Sequence, residues 1–174
     1  WEGLGEGNGD LVAFVQSRSP QTCATLDMDA SLVETEKQEA LYCYNKYKAY
    51  QPLTTYWAEQ ELIVYSEFRD GNVGAGYQQL RVLQETLAYV PAGEEKVMMR
   101  SDTAGYQREL LKYCAEGKNE RFGVIEFAVG VDVTPEFKKA VAQVAQEDWH
   151  TLGARAISDR CPRNFKQMRP MSWP

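Results

Sequence analysis

Two short acidic motifs contain the residues of this chain best suited to chemistry. The first covers residues 25–31 and contains Asp27 and Asp29; the second covers residues 96–106 and contains Asp102. In each motif an apolar run typical of a strand ends at an aspartate, and a small or hydroxyl residue follows. Carboxylates that different strands deliver to one sheet edge can bind Mg²⁺, which prefers oxygen ligands. The chemistry predicted for such a site is metal-assisted phosphoryl transfer.

Each motif also has a purely structural interpretation. Asp27 and Asp29 are two residues apart on a predicted strand, so they share one face with Thr25 and Ser31, and that face could simply be solvated. Asp102 could instead cap a helix that begins near residue 104. A cap and a metal ligand are compatible roles, because open α/β sheets bind ligands at the carboxyl ends of their strands.

The elements that position these residues are predicted from the spacing of apolar residues. Alternation predicts strands, and spacing of three to four residues predicts helices. The predicted strands are 23–33, 40–44, 53–58, 62–68, 97–100 and 122–129, and the predicted helices are 10–17, 77–89, 105–114 and 134–146. A run of strands followed by alternating helices and strands predicts an α/β fold, with a mixed sheet flanked by helices.

The two ends of the chain lack these patterns. Residues 1–9 contain four glycines and are predicted to be a flexible segment. Periodicity disappears after Trp149, so residues 149–174 are predicted to be an irregular tail. The remaining residues, 10–148, are predicted to form the core domain.

Composition indicates a soluble globular domain. The chain has 174 residues, 44% of them apolar and 25% charged, and contains no apolar run of the length that a membrane span needs. It has no signal peptide and does not begin with Met, so we expect a cytoplasmic protein and a piece of a longer chain. The four cysteines form no C-x-x-C pair and there is one histidine, so we expect reduced thiols rather than a zinc site.

Charge is unevenly distributed along the chain. The net charge is −6, but residues 151–174 contain five basic residues and one acidic residue, a net +4, so residues 1–150 carry −10. The basic tail could contact phosphates, or its charge could be incidental. Within the acidic body, Lys46, Lys48, Tyr50 and Gln51 form a basic and aromatic cluster that could contact a DNA backbone or be plain surface.

Four segments, in order, resemble the DDE transposases of bacterial insertion sequences. Residues 25–35 resemble the first catalytic motif of that family, and residues 41–53 resemble the segment that follows it. Residues 69–72 resemble its Arg-x-Gly-Asn loop, and residues 100–106 resemble its second catalytic motif. The resemblance covers roughly residues 10–148.

The resemblance implies a ribonuclease H-like fold in which three acidic residues bind two Mg²⁺ or Mn²⁺ ions. Asp29 is implied as the first ligand because a small residue and a hydroxyl residue follow it, and Asp102 is implied as the second. Asp27 is implied as an outer ligand or a charge neighbour. We expect Lys46, Lys48, Arg69 and Asn72 to contact DNA.

The third acid of the family, a glutamate on a later helix, has no match here. Glu136 and Glu147 lie on or near the last predicted helix in unmatched surroundings, and Glu126 lies on a predicted strand. We therefore expect that the chain is truncated before the insertion that precedes the third acid, and that it binds metal weakly and shows little strand transfer.

The partners implied by the resemblance are double-stranded DNA at transposon ends and target sites, with a possible homodimer on paired ends and no membrane. Two alternatives remain open from the sequence. One is a non-catalytic DNA-binding or assembly module on the same fold. The other is a small complete ribonuclease H-like nuclease, with Glu136 or Asp27 as its third acid.

Overall fold

The computed structural model describes residues 2–93 and 96–148. The chain divides into two compact units, one up to Gly130 and one from Val131 onward. The first contains α1 (Glu2–Arg18), β1 (Cys23–Ala30), β2 (Val33–Glu34), β3 (Ala49–Tyr50), β4 (Leu53–Trp57), β5 (Leu62–Glu67), α2 (Gln79–Tyr89), β6 (Lys96–Ser101), α3 (Arg108–Ala115) and β7 (Glu126–Val129). The second contains α4 (Pro135–Ala142).

The first unit is built on a five-stranded mixed sheet with the strand order β5-β4-β1-β6-β7. β4 pairs antiparallel with both β1 and β5, while β6 pairs parallel with both β1 and β7. A three-stranded antiparallel meander extended by parallel strands is the sheet of a ribonuclease H-like fold. The prediction of an α/β fold with a mixed sheet and flanking helices is therefore confirmed.

Alternation along β1 separates a core face from a polar face. Ala24, Leu26 and Met28 are buried and pack in one cluster with Trp57 and Met99 of the neighbouring strands. This agrees with the predicted period of two, because side chains on a strand point alternately to opposite faces. Apolar packing on the core face fixes the register of β1, and so fixes which residues reach the carboxyl end of the strand.

The helices of the first unit contribute to the same core. Val82, Leu83 and Leu87 of α2 are buried, as are Leu110 and Cys114 of α3. The predicted helix over 77–89 begins two residues later than expected, because Gln78 has a left-handed backbone with φ 53°. The predicted helix over 105–114 is interrupted, because Gln107 is extended and α3 starts at Arg108.

Residues 2–9 form the first half of α1, so the expectation of a flexible segment over 1–9 is wrong for them. Packing overcomes the low helix propensity of glycine. A Cβ at Gly5 would lie 3.1 Å from the Tyr89 hydroxyl, and one at Gly9 would lie 3.0 Å from the Tyr89 ring. The Asn8 amide also donates to the backbone oxygen of Val64 at 2.7 Å. The glycines let α1 approach Tyr89 closely.

Three other boundaries differ from the expectation. Residues 40–44 form no strand; they lie in a lobe between β2 and β3 with one isolated bridge, Tyr42 to Lys48. β7 starts at Glu126, because residues 119–123 form a turn in which Gly123 N donates to Asn119 O. In the second unit α4 has the predicted cap at Thr134 but ends at Ala142 rather than Gln146.

The predicted irregular tail over 149–174 lies outside the described residues. Within the parts of the chain that the structure describes, no helix is long and apolar enough to cross a membrane.

Candidate metal centre

The two candidate ligands, Asp29 and Asp102, each come one residue after the last pair between the parallel strands β1 and β6. Met28 of β1 pairs with Ser101 of β6 as the last pair between these two strands. Asp29 follows Met28 inside β1, and Asp102 follows Ser101 just after the end of β6. Adjacent strands are about 4.8 Å apart, and parallel strands end at the same sheet edge. The register therefore brings both backbones together at the carboxyl edge of the sheet, and both side chains are exposed there.

Asp29 is oriented by its neighbour two residues on. Ser31 donates its hydroxyl hydrogen to Asp29 Oδ2 at 2.9 Å. Within the described ranges no protein donor reaches the other carboxylate oxygen, Oδ1. The pair thus presents a carboxylate and a hydroxyl oxygen at the end of β1, which are ligand types suited to Mg²⁺ or Mn²⁺.

Asp102 caps a short 3-10 turn, Thr103–Gly105, as the structural interpretation of its motif predicted. Its Oδ1 accepts a hydrogen bond from Ala104 N at 2.9 Å. In the described part of the chain no donor reaches Oδ2, so capping leaves one oxygen for a cation. The cap also fixes the orientation of the carboxylate relative to the end of β6.

Asp27 shares the polar face of β1 but is committed to a different partner. It lies directly across from Arg100 of β6, and both of its oxygens accept hydrogen bonds from the Arg100 guanidinium, at Nε and Nη2. Of the two roles implied for Asp27, this geometry fits the charge neighbour, because each of its oxygens already accepts a hydrogen bond from Arg100. Arg100 was not singled out from the sequence, because only the register of β1 with β6 identifies it.

The expectation that Arg69 contacts DNA does not fit its position. The residue is only 5% exposed, and its guanidinium donates to the backbone oxygens of Tyr77 at 2.8 Å and Gln51 at 3.3 Å. Burial lowers the pKa of Arg69, since it disfavours the charged form. Arg69 therefore anchors the loop between β5 and α2 from inside.

The other three residues expected to contact DNA have mixed environments. Lys46 and Asn72 are exposed on turns and open to a phosphate. Lys48 is half-buried, and its ammonium donates to the backbone oxygens of Lys37 and Gln38, at 3.2 and 2.8 Å. Lys48 thus holds the lobe between β2 and β3 together.

Of the glutamates considered for the third ligand, Glu126 is the one that the structure places on the same sheet. Glu126 on β7 pairs with Lys96 at 2.7 Å, at the opposite end of the parallel strands from Asp29 and Asp102. Glu136 lies on α4 in the second unit, and the side chain of Glu147 is outside the description. Among the residues that the structure describes, no group of three His, Cys, Asp or Glu side chains could hold a metal ion.

Backbone packing around Asp102 is unusually close, a feature that the sequence alone did not indicate. A Cβ at Gly105 would lie 2.5 Å from Ser101 Cβ, and one at Gly130 would lie 3.0 Å from Thr103 N. A side chain at either position would therefore force the turn to move. The second motif does contain Gly105, but the sequence does not show what this glycine packs against.

Comparison with known proteins finds a family that matches nearly the whole chain. Residues 6–174 match the family described as transposase DDE domain group 1, and the match includes residues 149–174, for which the sequence alone showed no resemblance. No curated protein matches the chain. A solved structure of a piggyBac transposase, in a synaptic complex with hairpin DNA, matches with 13% identity and a TM-score of 0.48.

The alignment to the piggyBac transposase covers 74% of this chain but only 27% of that protein. Our chain thus spans about a quarter of the length of that transposase. The family match, in contrast, covers nearly every residue of the chain. The chain belongs to the DDE transposases, in the family of transposase DDE domain group 1.

Proposed function

We propose that this chain is part of the catalytic core of a DNA transposase, which cleaves phosphodiesters and transfers strands with Mg²⁺ or Mn²⁺. The observation that carries the proposal is the register of β1 with β6. It puts Asp29 and Asp102 one residue beyond the last parallel pair, Met28 and Ser101. Two carboxylates at adjacent strand ends are an arrangement suited to a shared cation.

In this proposal each residue at the edge has a distinct task. Asp29 and Asp102 hold the cation, Ser31 orients Asp29, and the backbone of Ala104 orients Asp102. Arg100 neutralises Asp27, which reduces the negative charge that an incoming phosphodiester meets. A bound cation supplies Lewis-acid stabilisation of the attacking and leaving oxygens.

The proposed substrate is double-stranded DNA, at transposon ends and target sites in the cytoplasm. Lys46 and Asn72 are the proposed DNA contacts, because both side chains are exposed. The acidic body, at −10 for residues 1–150, will bind DNA weakly, because affinity for duplex DNA comes largely from neutralised phosphates. A homodimer on paired ends is the assembly that we propose.

We also propose that the third acid lies outside these 174 residues. Neither Glu126 nor Glu136 fits the role, because Glu126 is at the far end of its strand and Glu136 follows no matched motif. Mg²⁺ is sensitive to the number and geometry of its ligands, so two carboxylates should bind it weakly. The isolated chain should accordingly show little strand transfer.

The test is Mn²⁺ titration of the chain, followed by electron paramagnetic resonance of free Mn²⁺. We expect Asp29→Asn and Asp102→Asn each to abolish the tightest binding. Asp10→Asn is the matched control, since Asp10 is exposed on α1, and should bind Mn²⁺ as the wild type does. Unchanged binding in Asp29→Asn and Asp102→Asn would contradict the proposed site.

A further inference from the structure

The side chain of Gln107 ties two segments together beside the candidate metal centre. Its amide nitrogen donates to Ala104 O at 2.8 Å and to Gly76 O at 2.5 Å. Both neighbours are carbonyl acceptors, so the amide must present its NH₂ group and uses both of its hydrogens. Ala104 belongs to the turn that Asp102 caps, whereas Gly76 belongs to the loop before α2.

The role of Gln107 is not that of an ordinary helix cap. It is the N-cap residue of α3, but its side chain makes no capping hydrogen bond to that helix. The amide reaches back instead, toward the turn N-terminal to it. Its contacts therefore serve the Asp102 turn rather than the start of α3.

The Asp102 turn needs such external support. It consists of the three residues Thr103–Gly105, and so short a 3-10 segment has little stability of its own. Gly76 lies close enough that a Cβ would be 2.8 Å from Gln107 Nε2 and 3.2 Å from Ala104 O. The loop and the turn are thus in direct contact at the point where Gln107 bonds them.

The loop is itself held firmly at the neighbouring residue. Buried Arg69 donates to Tyr77 O at 2.8 Å, one residue after Gly76. Contacts therefore run from Arg69 through Tyr77 and Gly76 to the amide of Gln107, and on to Ala104. Ala104 N is the donor that orients the Asp102 carboxylate.

We propose that Gln107 is a positioning residue for Asp102, which holds the carboxylate in the place where it binds a cation together with Asp29. This inference rests on the proposed function, because it presumes that the cation binds at this edge. Outer-sphere residues that orient ligands typically contribute about 10- to 100-fold to metal affinity. Gln107 acts one contact further out, because it bonds Ala104 O, and Ala104 N in turn orients Asp102.

The experiment measures the Mn²⁺ dissociation constant of the folded chain and its unfolding midpoint in urea. Gln107→Glu keeps the side-chain length but replaces the donor with a charged acceptor that faces two carbonyl oxygens. We expect Mn²⁺ to bind about 10-fold more weakly or worse. Gln84→Glu, at an exposed position on α2, is the matched control for added charge and should bind Mn²⁺ normally.

A purely structural role for Gln107 would lower the unfolding midpoint and leave the Mn²⁺ affinity of the folded protein unchanged, and that result would overturn the inference. Should Gln107→Glu fail to fold, Gln107→Met is measured instead, because it also lacks the donor but adds no charge. If wild type and Asp29→Asn bind Mn²⁺ equally, the metal site itself is wrong. Loss of affinity in Asp29→Asn but not in the Gln107 variants rejects only the role of Gln107.

Discussion

At the scale of single residues, Asp27 and Asp29 lie two positions apart on one strand face and have different partners. Asp27 accepts two hydrogen bonds from Arg100, a side chain that is only 12% exposed. Asp29 is exposed and accepts a hydrogen bond from Ser31. One carboxylate therefore supports the sheet, and the other can bind a cation.

Asp27→Asn should consequently destabilise the fold. Arg100 would lose the ionised partner that Asp27 provides in a half-buried place, which typically costs about 1–3 kcal/mol. Asp29→Asn should change the free energy of unfolding by less than about 0.5 kcal/mol, as most exposed substitutions do. Urea denaturation measures both, and a larger loss of stability in Asp29→Asn than in Asp27→Asn would contradict these assignments.

At the scale of elements, the glycines of α1 have different surroundings although they are regularly spaced. A Cβ at Gly7 would meet nothing within 4 Å, whereas a Cβ at Gly9 would lie 3.0 Å from Tyr89. The helix therefore needs glycine on the side that faces α2 and not on the solvent side. This contact with α2 also explains why a glycine-rich segment is helical.

Gly7→Ala should raise the free energy of unfolding by roughly 0.5–1 kcal/mol, because alanine loses less backbone entropy on forming a helix. Gly9→Ala should raise the free energy of unfolding by less, or lower it, because the added methyl group would push against the Tyr89 ring. Thermal unfolding of the two variants decides the matter. Equal stabilisation by both substitutions would mean that α1 does not pack on Tyr89.

The elements also show which features the sequence could predict. The alternation in residues 23–30 was enough to assign the core face of β1, because a strand with one buried face has a fixed register. Because the carboxyl ends of parallel strands lie at one edge of a sheet, Asp29 and Asp102 could be expected close to each other in the fold. Asp102 as a cap was likewise predictable, since aspartate before a turn commonly has that role.

Other features depend on contacts between distant parts of the chain. Arg69 looked like a DNA contact by its motif, but a motif does not reveal burial. The ion pair between Asp27 and Arg100 depends on the register of β1 with β6. The first half of helix α1 depends on packing against Tyr89. The contacts of Gln107 require the loop before α2 and the Asp102 turn to meet, which no local pattern encodes.

At the scale of the whole molecule, the core includes a thiol whose ionisation is coupled to folding. Burial raises the pKa of Cys114 from its ordinary value of 9.0 to about 12. The folded protein keeps this proton at a pH where the unfolded chain has lost it. Stability from Cys114 is therefore fully present below pH 9 and decreases as the pH rises from 9 toward 12.

Cys114→Ala should remove the decrease in stability that ionisation of Cys114 causes at alkaline pH. Its free energy of unfolding should be lower than that of the wild type at pH 8, because the core loses packing, and the difference should shrink by pH 10. Urea denaturation at the two pH values measures the change. A difference that stays constant between pH 8 and pH 10 would show that the Cys114 thiol ionises normally in the folded protein.

The measurement that tests the central claim most directly is an anomalous difference map from a crystal of this chain soaked in Mn²⁺. We expect a Mn²⁺ peak between Asp29 and Asp102, with the carboxylate oxygens at bonding distances near 2 Å. Its remaining ligands would show whether any other acid of the chain takes part. The absence of a peak, with the two carboxylates more than about 8 Å apart and so beyond the reach of one cation, would contradict the proposed metal centre.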